Sequence, residues 1–170
     1  MSWIQTYTAK RFFPLAPRAE DIDVRDLAHS LSLQCRFNGH CLQFYSVAEH
    51  SVRVSRALPP SLAAWGLLHD AAEAYLSDLP SPVKQQMPTY QQAEAALLRV
   101  VAARFELEWP MPAAVVHADR RLLATEARDL MARAPEPWEL EAEPLAERIE
   151  PWPPAEAEQA FLERYRQLRP

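Results

Sequence analysis

Glycine and cysteine are scarce in this chain of 170 residues: Gly39 and Gly66 are the only glycines, Cys35 and Cys41 the only cysteines. So little glycine leaves few candidates for the primed turns of a β-rich fold. Two cysteines at this spacing form neither a disulfide framework nor a C-x-x-C metal pair, so we expect free thiols in a reducing cytoplasm. No run of about eighteen apolar residues occurs, which argues against a helical membrane span. Met1 to Lys10 also lacks the basic start, apolar stretch and small-residue cleavage site of a secretory signal. Positive charge is in deficit, with a formal net charge of −5. That excludes the broad basic footprint that nucleic-acid polymers need, yet leaves room for a small anionic substrate in a local basic pocket.

What is abundant is Ala, Leu, Glu, Arg and Gln, all good helix formers. The hydrophobic fraction of 49% and charged fraction of 24% are ordinary for a globular protein, and the length suits one domain with one core. We therefore expect a single all-α bundle with helices near 23–35, 46–58, 61–76, 89–106, 112–132 and 154–168, the prolines falling mainly between them. Ser46-x-x-Glu49 and Thr89-x-x-Gln92 both fit the capping box that fixes a helix start. Asn38-Gly39 marks a turn, and Pro59-Pro60-Ser61 separates the second helix from the third. Residues 1–22 form an irregular lead-in, in which Gln5 to Phe13 is expected to pair with Cys41 to Tyr45 as a small β-ribbon. Ala134 to Pro154, rich in Glu and Pro, reads as a solvated connection or flap ahead of the terminal helix.

The informative feature is where ionisable groups meet apolar stripes. On the second helix, His50 shares a face with Val47, Val54 and Ala57, so it should point inward. Leu62 to Leu68 is apolar around its whole circumference, as a central helix is, and runs directly into His69-Asp70-Ala71-Ala72-Glu73. Asp119 lies four residues after Val115 and just before Leu122 and Leu123, again on an apolar face. Burying unpaired carboxylates costs several kcal/mol or more. A cation answers that need, and two imidazoles with two carboxylates suit one divalent Mn, Co, Fe, Ni or Zn ion better than Mg.

His50, then His69-Asp70, then Asp119 at these intervals resembles the H…HD…D signature of the HD phosphohydrolases. The longer stretches Val47-Ala-Glu-His-Ser51, His69-Asp-Ala-Ala-Glu73 and Asp78-Leu-Pro-Ser-Pro-Val-Lys84 are similar to those of the bacterial 5′-deoxynucleotidases, from about Arg36 to Leu130. The resemblance implies metal ligation by His50, His69, Asp70 and Asp119, and a catalytic carboxylate at Glu73. It further implies a sugar-hydroxyl contact at Asp78 and a phosphate grip at Arg36, with Lys84 as a second candidate. Phe37 stands where that family has a Trp that helps exclude a ribose hydroxyl, which leaves ribose or deoxyribose open.

The expected function is metal-dependent hydrolysis of a small nucleotide's phosphate ester, most simply a nucleoside 5′-monophosphate, with Glu73 acting as acid or base. Other HD chemistries on a nucleoside polyphosphate or cyclic nucleotide, and a non-catalytic nucleotide sensor, stand as alternatives. A homodimer is compatible with the sequence. Structural roles are expected for His117, which points away from Asp119, and for His40 in its loop, while His29 carries no assignment. Glu126, seven residues past Asp119 on the same face, is expected to make a helix-packing hydrogen bond.

Overall fold

Side-chain oxygens set the first two long helices. In the computed structural model, which describes residues 2–140 and 142–169, helix α1 (Val24–Leu33) starts at Asp23, whose carboxylate accepts from the Arg25 N–H. Helix α2 (Val47–Arg56) starts at Ser46, whose hydroxyl accepts from the Glu49 N–H. Such caps satisfy a donor that the first turn would leave orphaned. The Glu49 carboxylate does not close the box. It accepts instead from Arg53 and from the Trp152 N–H at 2.7 Å, tying the end of the Pro-rich segment to α2. Pro60 opens α3 (Pro60–Leu68) at its first turn, where a missing N–H costs nothing.

Three expectations about local structure are corrected. The helix anticipated over 61–76 is interrupted: α3 ends at Leu68 and the one-turn α4 spans Glu73–Leu76. Between them the bonds tighten to the i→i−3 pattern, Ala71 N–H to Leu68 O at 3.1 Å and Glu73 N–H to Asp70 O at 3.0 Å. The His69 ring contributes, because its Nδ1 bonds the Gly66 carbonyl at 2.8 Å, the acceptor that a regular helix gives to the residue four on. Thr89 is not a cap: α6 (Pro88–Arg104) begins one residue earlier with Met87 at its cap position, since Pro88 has its φ preset for a first helical residue.

The ribbon, thirdly, is a local hairpin of β1 (Ile4–Gln5) with β2 (Arg11–Phe12), Ile4 opposite Phe12. Its Thr8 backbone and hydroxyl both bond the buried Asp26 carboxylate. Cys41 to Tyr45 takes no part. That stretch is held elsewhere, by Leu42 N–H to Leu130 O and Arg36 N–H to Tyr45 O. A further short helix, α5 (Ser81–Lys84), lies before α6.

The all-α class stands. α7 (Ala113–Leu130) and α8 (Pro154–Leu168) complete the frame. α2 packs on α1, α3, α7 and α8, so nearly all of its face is covered. Its neighbours place Val47, Ala48, Val52, Leu67, Leu68 and Phe161 in one apolar cluster. Phe12 anchors the hairpin there by stacking on Tyr75, ring centroids 3.9 Å apart. Gly66 is where α3 comes nearest α2, since a Cβ there would lie 2.9 Å from the Ser55 Cα. Ser30 Oγ donates to the Ala74 carbonyl and Gln34 Nε2 to the Glu73 carbonyl, so α1 fastens α4. Among the described residues, no helix is long and apolar enough to cross a membrane.

Candidate metal centre

The close approach of α2 and α3 at Gly66 brings two imidazoles together. His50, wholly buried, projects from α2, and His69 from the end of α3. Their Nε2 atoms lie 3.2 Å apart. Asp119 on α7 and Asp70 close the group: His50 Nε2 is 3.1 Å from Asp119 Oδ1 and 3.5 Å from Asp70 Oδ2. His69 Nε2 is 3.2 Å from Asp70 Oδ2 and 3.9 Å from Asp119 Oδ1. His50, His69 and Asp119 each bring one ligand atom within 4.8 Å of the others, and Asp70 stands beside both imidazoles.

The outer nitrogens determine what the inner ones present. His69 Nδ1 faces a carbonyl, which can only accept, so Nδ1 carries the hydrogen. His50 Nδ1 lies 2.6 Å from Glu126 Oε1, a carboxylate held below its usual range: burial opposes ionisation, but Arg36, His50 and their hydrogen bonds outweigh it. With both Nδ1 atoms hydrogen-bonded outward, a neutral His50 and a neutral His69 would each turn an Nε2 lone pair to the other, an arrangement that a positive species, a proton or a metal ion, relieves. Ligands held about 2.0–2.2 Å from a transition metal sit roughly 3 to 3.5 Å from their neighbours, and the donor set fits a divalent ion. A proton is the competitor. In the metal-free chain burial and Arg36 oppose protonation of His50, yet Glu126 and Asp119 prevail and raise it to about 9.

Charge accounting agrees. Asp70 and Asp119 both lie below the usual carboxylate range, burial being overcome by the neighbouring imidazoles. With Glu126 they make three carboxylates against the Arg36 guanidinium, so two negative charges would remain in this partly buried site once His50 gave up its proton to an entering metal ion. A divalent cation neutralises them.

Arg36 was expected to face phosphate. The structure brings it to the site and pairs it with Glu126, Nε at 3.1 Å and Nη2 at 3.0 Å from Oε2, leaving Nη1 toward Asp70 at 3.7 Å. Phe37 follows in a short 3₁₀ turn (Arg36–Gly39), where Phe37 and Asn38 are both left-handed with φ of 54° and 51°. The Arg36 guanidinium lies 5.4 Å from the centre of the Phe37 ring.

Glu73, Asp78 and Lys84 gather beside the metal group. Glu73 is 7% exposed, and its buried Oε2 has no hydrogen-bond partner among the described residues. Burial, then the charges of Asp70 and Asp78, push its carboxyl well above the usual range. Asp78 is exposed and bonds the Lys84 ammonium at 2.9 Å, and Glu94 holds the same ammonium at 2.8 Å. Lys84 is thus committed to two carboxylates, and Glu94 was not singled out in the sequence although it shares the face of α6 that carries Leu97 and Val101.

His117 is exposed, as its angle on α7 required, and His40 is exposed in its loop. His29 stacks on Tyr7 at 3.8 Å and bonds Glu158 at 3.1 Å, a structural contact between α1, α8 and the hairpin. The residue most undervalued by sequence reasoning is Glu126. Its signal was present, a carboxylate two turns past Asp119 on the same buried stripe, but no pattern showed that it would orient a ligand rather than pack.

Fold and site together define an all-α protein with a mixed imidazole and carboxylate cluster competent to hold one cation. The chain is 39% identical over 171 aligned positions to "Uncharacterized protein YfdR" of Escherichia coli (strain K12), covering 99% of this chain and 96% of that one. It is 34% identical over 137 positions to "Uncharacterized protein RCAP_rcc00048" of Rhodobacter capsulatus, covering 75% and 70% respectively. The chain belongs to the family that YfdR represents. No protein-family model matches it.

Proposed function

We propose that this protein is an HD-type, metal-dependent phosphohydrolase that cleaves the phosphate ester of a nucleoside 5′-monophosphate. The observation that carries the reading is the pair of Nε2 atoms 3.2 Å apart, flanked by the carboxylates of Asp70 and Asp119, beside a buried carboxyl with an unpartnered oxygen. His50, His69, Asp70 and Asp119 would hold a divalent transition metal, Mn, Co, Fe, Ni or Zn. When bound, the ion supplies positive charge that polarises a phosphoryl oxygen and acidifies water.

The chain's own groups do the rest. In hydrolysis the oxygen of water bonds phosphorus, the ester P–O bond breaks, and a proton must reach the departing oxygen. Glu73, kept protonated by burial and by its acidic neighbours, is suited to give that proton and to regain one from the attacking water. The Nη1 edge of Arg36, left over from its pairing with Glu126, offers donors to a phosphate oxygen. Asp78, fixed by Lys84, accepts from a sugar hydroxyl. We place the protein in the cytoplasm, where Cys35 and Cys41, both free, remain reduced.

A panel of nucleoside mono-, di- and triphosphates with added Mn²⁺ or Co²⁺ tests the reading. Phosphate release from monophosphates that a chelator abolishes is the expected result. Tight binding with no turnover of any member would replace it with a sensor.

A further inference from the structure

The segment between α7 and α8 contains no helix or strand among its described residues, yet much of it is tied down. Thr125 Oγ1 accepts from the Leu145 N–H, Arg128 donates to the Leu145 and Glu147 carbonyls, and Asp129 accepts from the Ile149 N–H. Leu145 and Ile149 pack against the cluster around Tyr45 and Leu122. These contacts account for the second half of the segment as a strap along α7. They do not account for Trp138, which lies ahead of them.

Trp138 is 41% exposed, so it is not there to fill the core. Its ring meets that of Phe37, centroids 6.1 Å apart with planes inclined at 58°. At that inclination the two rings are not stacked on one another. Phe37 in turn stands next to Arg36, whose guanidinium touches both the Phe37 ring and the edge of the metal group. Phe37 and Asn38 are non-glycine residues held at positive φ, a conformation that costs roughly 1 kcal/mol or more per residue and persists where the surroundings impose it. A strained turn, a charged group and two half-covered aromatic rings from distant parts of the chain thus adjoin one another.

We infer that Trp138 and Phe37 form a wall that receives the base of a nucleotide, with Trp138 the residue that makes the site select nucleotides over sugar phosphates. This rests on the phosphohydrolase reading for the placement of the phosphate. A π-face accepts every base, so the wall selects for an aromatic base without choosing among bases. Trp138 lies outside the stretch that resembles the deoxynucleotidases, so the selectivity is a property of the segment between α7 and α8.

The test uses the full chain with Mn²⁺ present and the variants Trp138→Ala, Trp138→Phe and Phe37→Leu. Calorimetric titration with the non-hydrolysable 5′-methylenephosphonate analogue of adenosine monophosphate measures binding. The kcat/KM ratio of adenosine 5′-monophosphate to ribose 5-phosphate measures selection. Loss of a base stack predicts binding weakened by about 5- to 150-fold in Trp138→Ala, a fall in the ratio by a similar factor, and recovery of most of it in Trp138→Phe. Phe37→Leu gives a smaller loss of the same kind. Unchanged binding in Trp138→Ala, an unchanged ratio in an enzyme that turns over, a Phe variant no better than Ala, or no binding by the native chain overturns the inference. Native binding that depends on Trp138 in a chain that hydrolyses nothing would retain the wall and discard the phosphohydrolase.

Discussion

Two groups of carboxylates lie side by side in this molecule, and they solve the same electrostatic problem differently. Around His50 and His69, Asp70, Asp119 and Glu126 outnumber the Arg36 guanidinium and the protonated His50 that face them. Around Glu73, the chain supplies the Lys84 ammonium to Asp78 and Glu94 and burial keeps Glu73 itself protonated. The second group seats a lysine between two of its carboxylates and leaves the Glu73 Oε2 unpartnered among the described residues; the first sets two imidazoles and Arg36 against three carboxylates. Carboxylate density alone therefore does not mark a metal site. What distinguishes the two groups is the donor set, imidazoles facing carboxylates in one and a lysine held by carboxylates in the other.

That contrast can be broken most sharply at a ligand. Asp70→Asn should lower metal affinity by more than ~100-fold, beyond what loss of an outer partner costs, as measured by titration with a fluorescent zinc or cobalt competitor. Retention of native affinity would remove Asp70 from the group. Glu126→Gln touches no metal, but it unfixes the His50 ring and leaves the Arg36 charge without its carboxylate. We expect a roughly 10- to 100-fold loss in affinity together with about 3 kcal/mol lost in urea denaturation. A stability loss with unaltered affinity would reduce Glu126 to packing.

Gly66→Ala tests the spacing between the helices. The new methyl must displace the α2 backbone at Ser55, at a cost of about 1–3 kcal/mol, and should shift the two imidazoles apart enough to weaken metal binding measurably in the same titration. The smallest effect belongs to the lysine-bridged group. Glu94→Gln leaves Lys84 with Asp78 and should change stability by less than about 1 kcal/mol with metal affinity unaltered. A large loss of metal there would show that the two groups are one.

Much of this could be read from the chain because helical periodicity reports burial. His50 among Val47 and Val54, and Asp119 among Val115 and Leu122, were identifiable as inward-facing since their neighbours on the same stripe are apolar. What the stripe could not give is hydrogen bonding across elements. Arg36 was legible as a site residue by its position before the first histidine, but not its fork onto Glu126, whose partner lies ninety residues away in sequence. The continuous helix over 61–76 failed for a related reason: propensity favours helix throughout, and the tightening at His69–Ala72 accompanies a side chain reaching for its own backbone. Trp138 gave no signal at all, because an irregular segment has no period from which a facing could be read.

Helix α1 contributes nothing to the cluster, yet Ser30 and Gln34 hold the carbonyls of Ala74 and Glu73. The depth at which the Glu73 carboxyl sits is consequently set from outside, by a helix that also carries the hairpin through Asp26 and leans on α8 through His29. Changes that shift α1 by a fraction of an ångström have a two-bond route to the Glu73 carboxyl, so under the proposed hydrolysis variants with impaired turnover are expected on a surface far from His50 and His69.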